Sequence, residues 1–465
     1  MGVTMFTRSA SASMTSFKTI LVLAWPVVIA RSSQAVIGFA DALMTAPLGE
    51  AALAATTTGA MNVFTVTILP MGMVFIAQSF AAQLFGKGRL DVAVRYAWYG
   101  LIVAGVMIFV SVLAIPAVGP VLALFGYEPQ VQRLMSGYLA YRLLGVGAVV
   151  ATEALGNWYG GLGNTRLHML AGLVAMVSNV AFNWLLIGGH LGFPALGVNG
   201  AAIASVIASW LGFVVIAAAF LRGLGVDVPS VRPRGLQVRE LGRMLRFGLP
   251  HGLNWFFEFA AFAIFINVIV AGLGTTALAA LMVVMNINSV SFMPAFGVTS
   301  AGAILSGQAI GRGAYDEVGG IVRRTLVLTL GWQGSVGLVY WIAPGMLMAL
   351  FARGSSMSEE LVTVGAVMLG LSALWQLSDA AAMTFGETLR AAGDTAWTLG
   401  ARLVMAWLVF TPAAFVSVRL LGGGHVAALL CVVVYMALLA GVFALRFRSQ
   451  AWKRIELTSV EPQLV

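Results

Sequence analysis

The chain is written as long apolar runs separated by short, polar, glycine-containing turns. Twelve of these runs reach the roughly 20 residues that an α-helix needs to cross the hydrocarbon of a bilayer. They lie approximately at 17–44, 51–82, 93–120, 132–158, 167–189, 198–221, 243–271, 276–306, 321–349, 360–386, 397–420 and 424–445. None has the ten-residue alternation of an outer-membrane barrel strand. The pattern predicts an all-α integral membrane protein with twelve transmembrane helices.

Composition agrees: 60% of the 465 residues are hydrophobic and 9% charged, with a mean hydropathy of +0.95. A soluble domain carries about a quarter charged residues. The net charge of +9 sits in the loops, with no nucleic-acid module around it. One face collects Arg8, Lys18, Lys87, Arg89, Arg95, Arg166, the arginines from Arg222 to Arg246, Arg312, Arg323, Arg324, Arg390, Arg402 and the cluster from Arg446 to Arg454. Only Arg31, Arg133, Arg142, Arg353 and Arg419 fall elsewhere. By the positive-inside rule the loaded face is cytoplasmic, so both termini are expected inside. Residues 1–19 lack a cleavage site after a short apolar core and read as a retained tail, with Gly2 a fortuitous myristoylation match. The single cysteine, Cys431, excludes an internal disulfide and a cysteine metal site.

The polar turns repeat. "ALAA" at 52–55 returns at 277–280, and "QLFGKGRLD" at 83–91 returns as "QAIGRGAYD" at 308–316, both at an offset of 225 residues. Close to that offset Pro26 pairs with Pro250, Gly49 with Gly274, Pro70 with Pro294 and Gly72 with Gly297. "GGLGNT" at 160–165 matches "RAAGDT" at 390–395. The expected organisation is an N-terminal lobe over 1–225 with spans 1–6, a cytoplasmic linker over 226–242, and a C-terminal lobe over 243–465 with spans 7–12 and the tail. An even number of spans per half makes the repeats parallel, a plan of secondary transporters.

Polar side chains inside such spans are functional candidates, because charge at membrane depth is costly. In span 1, Gln34, Gly38 and Asp41 share a face at i, i+4 and i+7. Span 7 holds His251, Asn254 and Glu258, and span 10 holds Ser372, Gln376 and Asp379. Span 5 adds Asn179 and Asn183, and span 6 adds Ser205. A carboxylate in a low-dielectric cavity binds a proton more readily, and neighbouring carboxylates reinforce this. Carboxylate, amide and hydroxyl oxygens together also suit Na⁺. A lone intramembrane Asn or Ser is more often a helix-to-helix hydrogen-bond partner.

Several segments carry a family resemblance: "WPVVIARSSQAVIGFADALMTAPLG", "PMGMVFIAQSFAAQLFGKG", "FPALGVNGAAIAS", "FGLPHGLNWFFEFAAF" and "QLSDAAAM…LRAAGDT". Across nearly all twelve spans the chain resembles the multidrug and toxic compound extrusion (MATE) family of antiporters, in particular its NorM-like branch. The resemblance implies a V-shaped pair of pseudo-symmetric six-helix lobes. It also implies cation-driven export, coupled to H⁺ or Na⁺, of amphipathic and often cationic drug-like compounds by alternating access. No cofactor beyond the coupling ion is implied. The family's coupling positions fall on Asp41, Asn179, Asn183 and Ser205, and in the second half on Glu258 and Asp379, with Na⁺ a candidate at Glu258 and Asp379 or at Asp41. A substrate cavity is expected to include Gln34, Asn254, Phe257, Met285, Trp375 and Gln376. Two departures stand out. Trp375 replaces a tyrosine one turn before Asp379, which removes a hydroxyl oxygen, and Arg31 belongs to no family pattern.

Arg31 lies ten residues from Asp41, about 15 Å along a helix, so its expected counter-charge is Glu153 in span 4. The alternative reading, a flippase for a lipid-linked saccharide of the same superfamily, calls for several intramembrane arginines, and only Arg31 and Arg142 qualify. An enzyme is not expected: the four histidines are scattered, and neither a Gly-rich phosphate loop nor HExxH occurs. Small molecules and membrane lipid are the expected partners, nucleic acid is not, and the chain is read as a monomer.

Overall fold

A computed structural model of the chain describes residues 16–228, 230–352 and 359–458. Gly2, Arg8 and Arg353 lie outside the described residues. The first half contains α1 (Phe17–Thr45), α2 (Glu50–Phe75), α3 (Ala77–Gly86), α4 (Leu90–Ala114), α5 (Val118–Leu122), α6 (Pro129–Leu143), α7 (Val146–Gly161), α8 (Arg166–Gly188) and α9 (Gly197–Leu221). The second contains α10 (Val238–Ile264), α11 (Thr275–Gly311), α12 (Tyr315–Ile342), α13 (Pro344–Ala352), α14 (Glu359–Ala392), α15 (Thr395–Leu403), α16 (Thr411–Phe415) and α17 (Gly424–Arg448). No strand occurs among the described residues.

Among the described residues eleven helical stretches are long and apolar enough to span a membrane, and α6 with α7, bent by 44° at their junction, make a twelfth when taken as one span. The all-α, twelve-span expectation therefore holds. Span 9 differs from the sequence reading, because α12 ends at Ile342 and α13 starts at Pro344. Proline lacks the amide hydrogen that would continue the helix and drives the residue before it out of helical geometry. Ala343 accordingly has φ −131° and ψ 44°.

The repeat is written in the backbone as well as in the sequence. Gly49 (φ 106°, ψ 170°) precedes α2 and Gly274 (φ 110°, ψ 167°) precedes α11. That region of dihedral space is essentially reserved for glycine. The turns at "GGLGNT" and "RAAGDT" also match: the Asn164 amide donates to the Tyr159 carbonyl at 2.9 Å, and the Asp394 amide to the Leu389 carbonyl at 2.8 Å.

Two compact units emerge. The N-unit is Pro26–Gly252, and the C-unit comprises the described residues of Met1–Trp25 and Leu253–Val465. Their limits fall at Pro26 in α1 and just past Pro250 in α10, the prolines that the repeat aligns. The segment read as a linker is tied into the N-unit. Trp98 Nε1 donates to the Val231 carbonyl at 2.8 Å, the Tyr99 hydroxyl to Glu240 Oε2 at 2.7 Å, and Arg95 pairs with Glu240 at 3.0 Å.

Within the N-unit, α7 packs against α4, α3 and α2, and α8 runs along α9. Small residues set the spacing: a Cβ on Gly161 would stand 2.4 Å from the Gln78 carbonyl oxygen. Within the C-unit α14 is central, packed on α11, α12 and α17. Large apolar side chains such as Phe109, Leu113, Leu338, Leu408 and Leu445 point outward, as lipid-facing positions should.

Candidate functional site

In the N-unit, α1, α8 and α9 bring four expected residues into direct contact. Asp41 Oδ1 accepts from Asn179 Nδ2 at 3.0 Å and from Asn183 Nδ2 at 2.6 Å, and Oδ2 accepts from the Ser205 hydroxyl at 2.8 Å. Asn179 Nδ2 also reaches Ser205 Oγ at 3.0 Å, and Asn183 Nδ2 reaches Asn179 Oδ1 at 3.1 Å. All four side chains are buried. Asn179 and Asn183 are one helical turn apart, which explains how one helix supplies both donors. Asp41 is thus a buried carboxylate solvated by neutral donors, with no ion pair among the described residues. The Asn183 Oδ1 atom has no hydrogen-bond partner among the described residues, and Tyr138 lies within electrostatic range of both Asp41 and Arg142.

A second N-unit cluster neutralises Arg31. Its Nη1 donates to Glu153 Oε1 at 2.8 Å and its Nη2 to Glu153 Oε2 at 2.9 Å. Asn157 Nδ2 adds a bond to Glu153 Oε2 at 3.0 Å, and His168 Nε2 approaches Oε1 at 3.6 Å. The guanidinium also stands 5.7 Å from the centre of the Phe75 ring. The counter-charge expected from the sequence is the one found.

The C-unit carboxylates sit in a different setting. Arg402, counted above among the loop charges, belongs to α15 and forms an ion pair with Glu258 of α10. Asp379 accepts from Gln333 Nε2 at 2.8 Å and lies in the electrostatic range of both Glu258 and Arg402. Tyr435 of α17 completes the group. Arg402, Gln333 and Tyr435 were not anticipated. For Arg402 the signal was present, since it lies within the apolar span read as 397–420, but the loop count had absorbed it.

Of the expected cavity residues, Gln34 is exposed in the N-unit, and the others lie in the C-unit. Trp375 is buried in the hydrophobic core of that unit. Gln376 is buried and hydrogen-bonded at both ends of its amide: its Oε1 accepts from the Ser291 hydroxyl at 2.8 Å and its Nε2 donates to Asn288 Oδ1 at 2.6 Å. Asn288 Nδ2 in turn donates to Ser372 Oγ at 3.2 Å, which ties α11 to α14. Asn254 is buried with an unpartnered Oδ1 among the described residues, while Phe257 and Met285 are half-buried, Phe257 at a ring distance of 6.2 Å from Trp407. Among the described residues no three His, Cys, Asp or Glu side chains gather as a metal site would require.

The family model MatE matches this chain twice, over residues 26–185 and 251–416, once in each half. The chain belongs to the MatE family. It is 26% identical over 410 residues to the multidrug resistance protein NorM of Aliivibrio fischeri, covering 85% of each chain. To the probable multidrug resistance protein NorM of Neisseria meningitidis serogroup B it is 28% identical over 370 residues, covering 77% of each. Among solved structures, a MOP superfamily transporter from Pyrococcus furiosus has the same fold, with a TM-score of 0.86 at 20% identity, over 95% of this chain and 98% of that one. The Vibrio cholerae MATE transporter VcmN, in its bent form, follows at 0.83 and 18%, over 95% and 98%. This MatE chain is a multi-pass membrane transporter and not an enzyme.

Proposed function

We propose that this MatE transporter is a multidrug efflux antiporter of the bacterial cytoplasmic membrane, exporting amphipathic, often cationic compounds in exchange for H⁺ or Na⁺. The observation that carries the reading is Asp41, a buried carboxylate that neutral donors from two other helices hold in place and that no cationic side chain among the described residues neutralises. Burying a charge without a partner costs several kcal/mol in principle, and such groups inside membranes serve ion pathways by default. The NorM relatives supply the drug substrate class by analogy.

The mechanism follows from differential binding. A cation on Asp41 and a drug in the cavity favour different arrangements of the helices, and each weakens the other, so inward cation flow drives drug outward. Asn179, Asn183 and Ser205 position the carboxylate. Asn254, Phe257 and Met285 line the drug path, and the aromatic and thioether groups accommodate varied shapes. Both termini face the cytoplasm, and the chain works as a monomer.

Purified protein in liposomes tests this directly. With an ethidium-like dye, a pH gradient or a Na⁺ gradient imposed separately should drive dye movement under at least one condition and not in D41N. Dye movement under neither gradient, or undiminished movement in D41N, would discard the reading.

A further inference from the structure

The Glu258 site holds a cation already, and that cation is a side chain. We infer that Arg402 occupies the place of an inorganic ion among the C-unit carboxylates, so that Glu258 and Asp379 bind no Na⁺ in this protein and the Arg402 guanidinium is what sets that selectivity.

Arg402 reaches Glu258 from α15 with Nη1 on Oε1, and its guanidinium lies 5.7 Å from the centre of the Phe443 ring of α17. Its side chain is 16% exposed against 36% for Glu258, so the cation is the deeper partner and the carboxylate the more open one. Arginine stays charged at every accessible pH. Its charge is therefore permanent, and an incoming Na⁺ meets a Glu258 carboxylate that a fixed positive group behind it already neutralises. The segment after α15 is wound as a π-helix from Val404 to Phe410, a local irregularity often found at functional positions.

With that charge removed, the remaining groups form the donor set a hard cation takes. Glu258 and Asp379 carry carboxylate oxygens, Gln333 is already bonded to Asp379 through Nε2 and its buried Oε1 is without a partner among the described residues, and the Tyr435 hydroxyl lies within electrostatic range of both carboxylates. Two carboxylates facing neutral oxygens carry an excess of negative charge that only a bound cation offsets. Arg402 therefore divides two outcomes of one site, a self-neutralised cluster with the guanidinium and a Na⁺ site without it.

The inference rests on reading these carboxylates as the charged site of a transporter, yet its test requires no transport. Thermal unfolding of purified protein in detergent is followed with Na⁺ against equal choline, together with ²²Na⁺ binding, for wild type, E258Q, R402Q, R402K and the double variant R402Q/E258Q. Wild type and R402K should show no Na⁺ binding or protection that depends on Glu258. R402Q should bind one ²²Na⁺ more than wild type and gain thermal protection, about tenfold in the folded-to-unfolded ratio at ten times the dissociation constant, and R402Q/E258Q should lose both gains. Na⁺ bound by wild type and abolished in E258Q would overturn the proposal, as would a folded R402Q that binds no more than wild type. If R402Q does not fold in choline, recovery of folded protein by purification in Na⁺ supports the proposal, and failure in both salts overturns it. Loss of dye transport in every variant would bear on the antiporter reading alone.

Discussion

Arg31 and Glu153 face each other across α1 and α7 in a two-pronged ion pair, at 2.8 and 2.9 Å. The geometry is fork to fork, the strongest arrangement available to a guanidinium and a carboxylate. Removing one partner of a buried pair strands the other, at about 3–5 kcal/mol, whereas replacing both by apolar groups of similar size is often neutral. E153Q should therefore lower the unfolding temperature in detergent sharply, and the double change R31M/E153M should recover most of the loss. A double variant as unstable as E153Q would mean that the pair does more than neutralise itself.

Asp41 carries the coupling reading. D41N keeps size and polarity but loses the charge, and it sets an amide nitrogen where Asp41 now accepts from neighbouring donors. Gradient-driven dye efflux should vanish, with a stability loss of about 1–3 kcal/mol from one mismatched donor. S205A removes one hydrogen bond to Oδ2 and retains both asparagine donors, so it should slow efflux by about tenfold or less, the equivalent of one net hydrogen bond. Rates from liposomes containing each variant check both expectations.

Most of this architecture was legible in the chain. Ends of apolar runs and glycine turns are local signals, and with the 225-residue repeat they marked out the twelve spans; Asn179 and Asn183 were readable as one face of a single helix, and their contact with Asp41 joins helices far apart in sequence. Arg402 was misplaced because position along a span was used as a measure of depth. An arginine two turns from a helix end can still aim its long side chain inward, and only the three-dimensional position of Glu258 reveals which way it goes. Gln376 shows the converse. Its spacing put it on the Asp379 face, but its hydrogen-bond partners Ser291 and Asn288 sit on α11, distant in sequence, and left no mark on that pattern.

Gln376 provides a clean test of packing against substrate contact. Its two bonds to Ser291 and Asn288 join α14 to α11. Q376L leaves both partners unsatisfied and should cost about 1–3 kcal/mol, seen as a lower unfolding temperature. The relative rates for different dyes should stay unchanged. A shifted dye preference at unchanged stability would return Gln376 to the drug path.

The repeat makes a quantitative claim of its own. Gly49 and Gly274 occupy the same backbone region, at φ 106° and 110° with ψ 170° and 167°, each opening the second long helix of its half. No heavy atom stands within 4 Å of a Cβ built at either position, so crowding plays no part in a substitution. What remains is backbone strain, about 1–3 kcal/mol for a residue with a side chain in this region. G49A and G274A should then destabilise equally, and the double variant should lose the sum, since the positions lie in different compact units. Unfolding temperatures of the three variants decide it. A large asymmetry would show that one of the two turns relaxes into another conformation, so that the two halves share a sequence pattern without sharing the same mechanical rigidity.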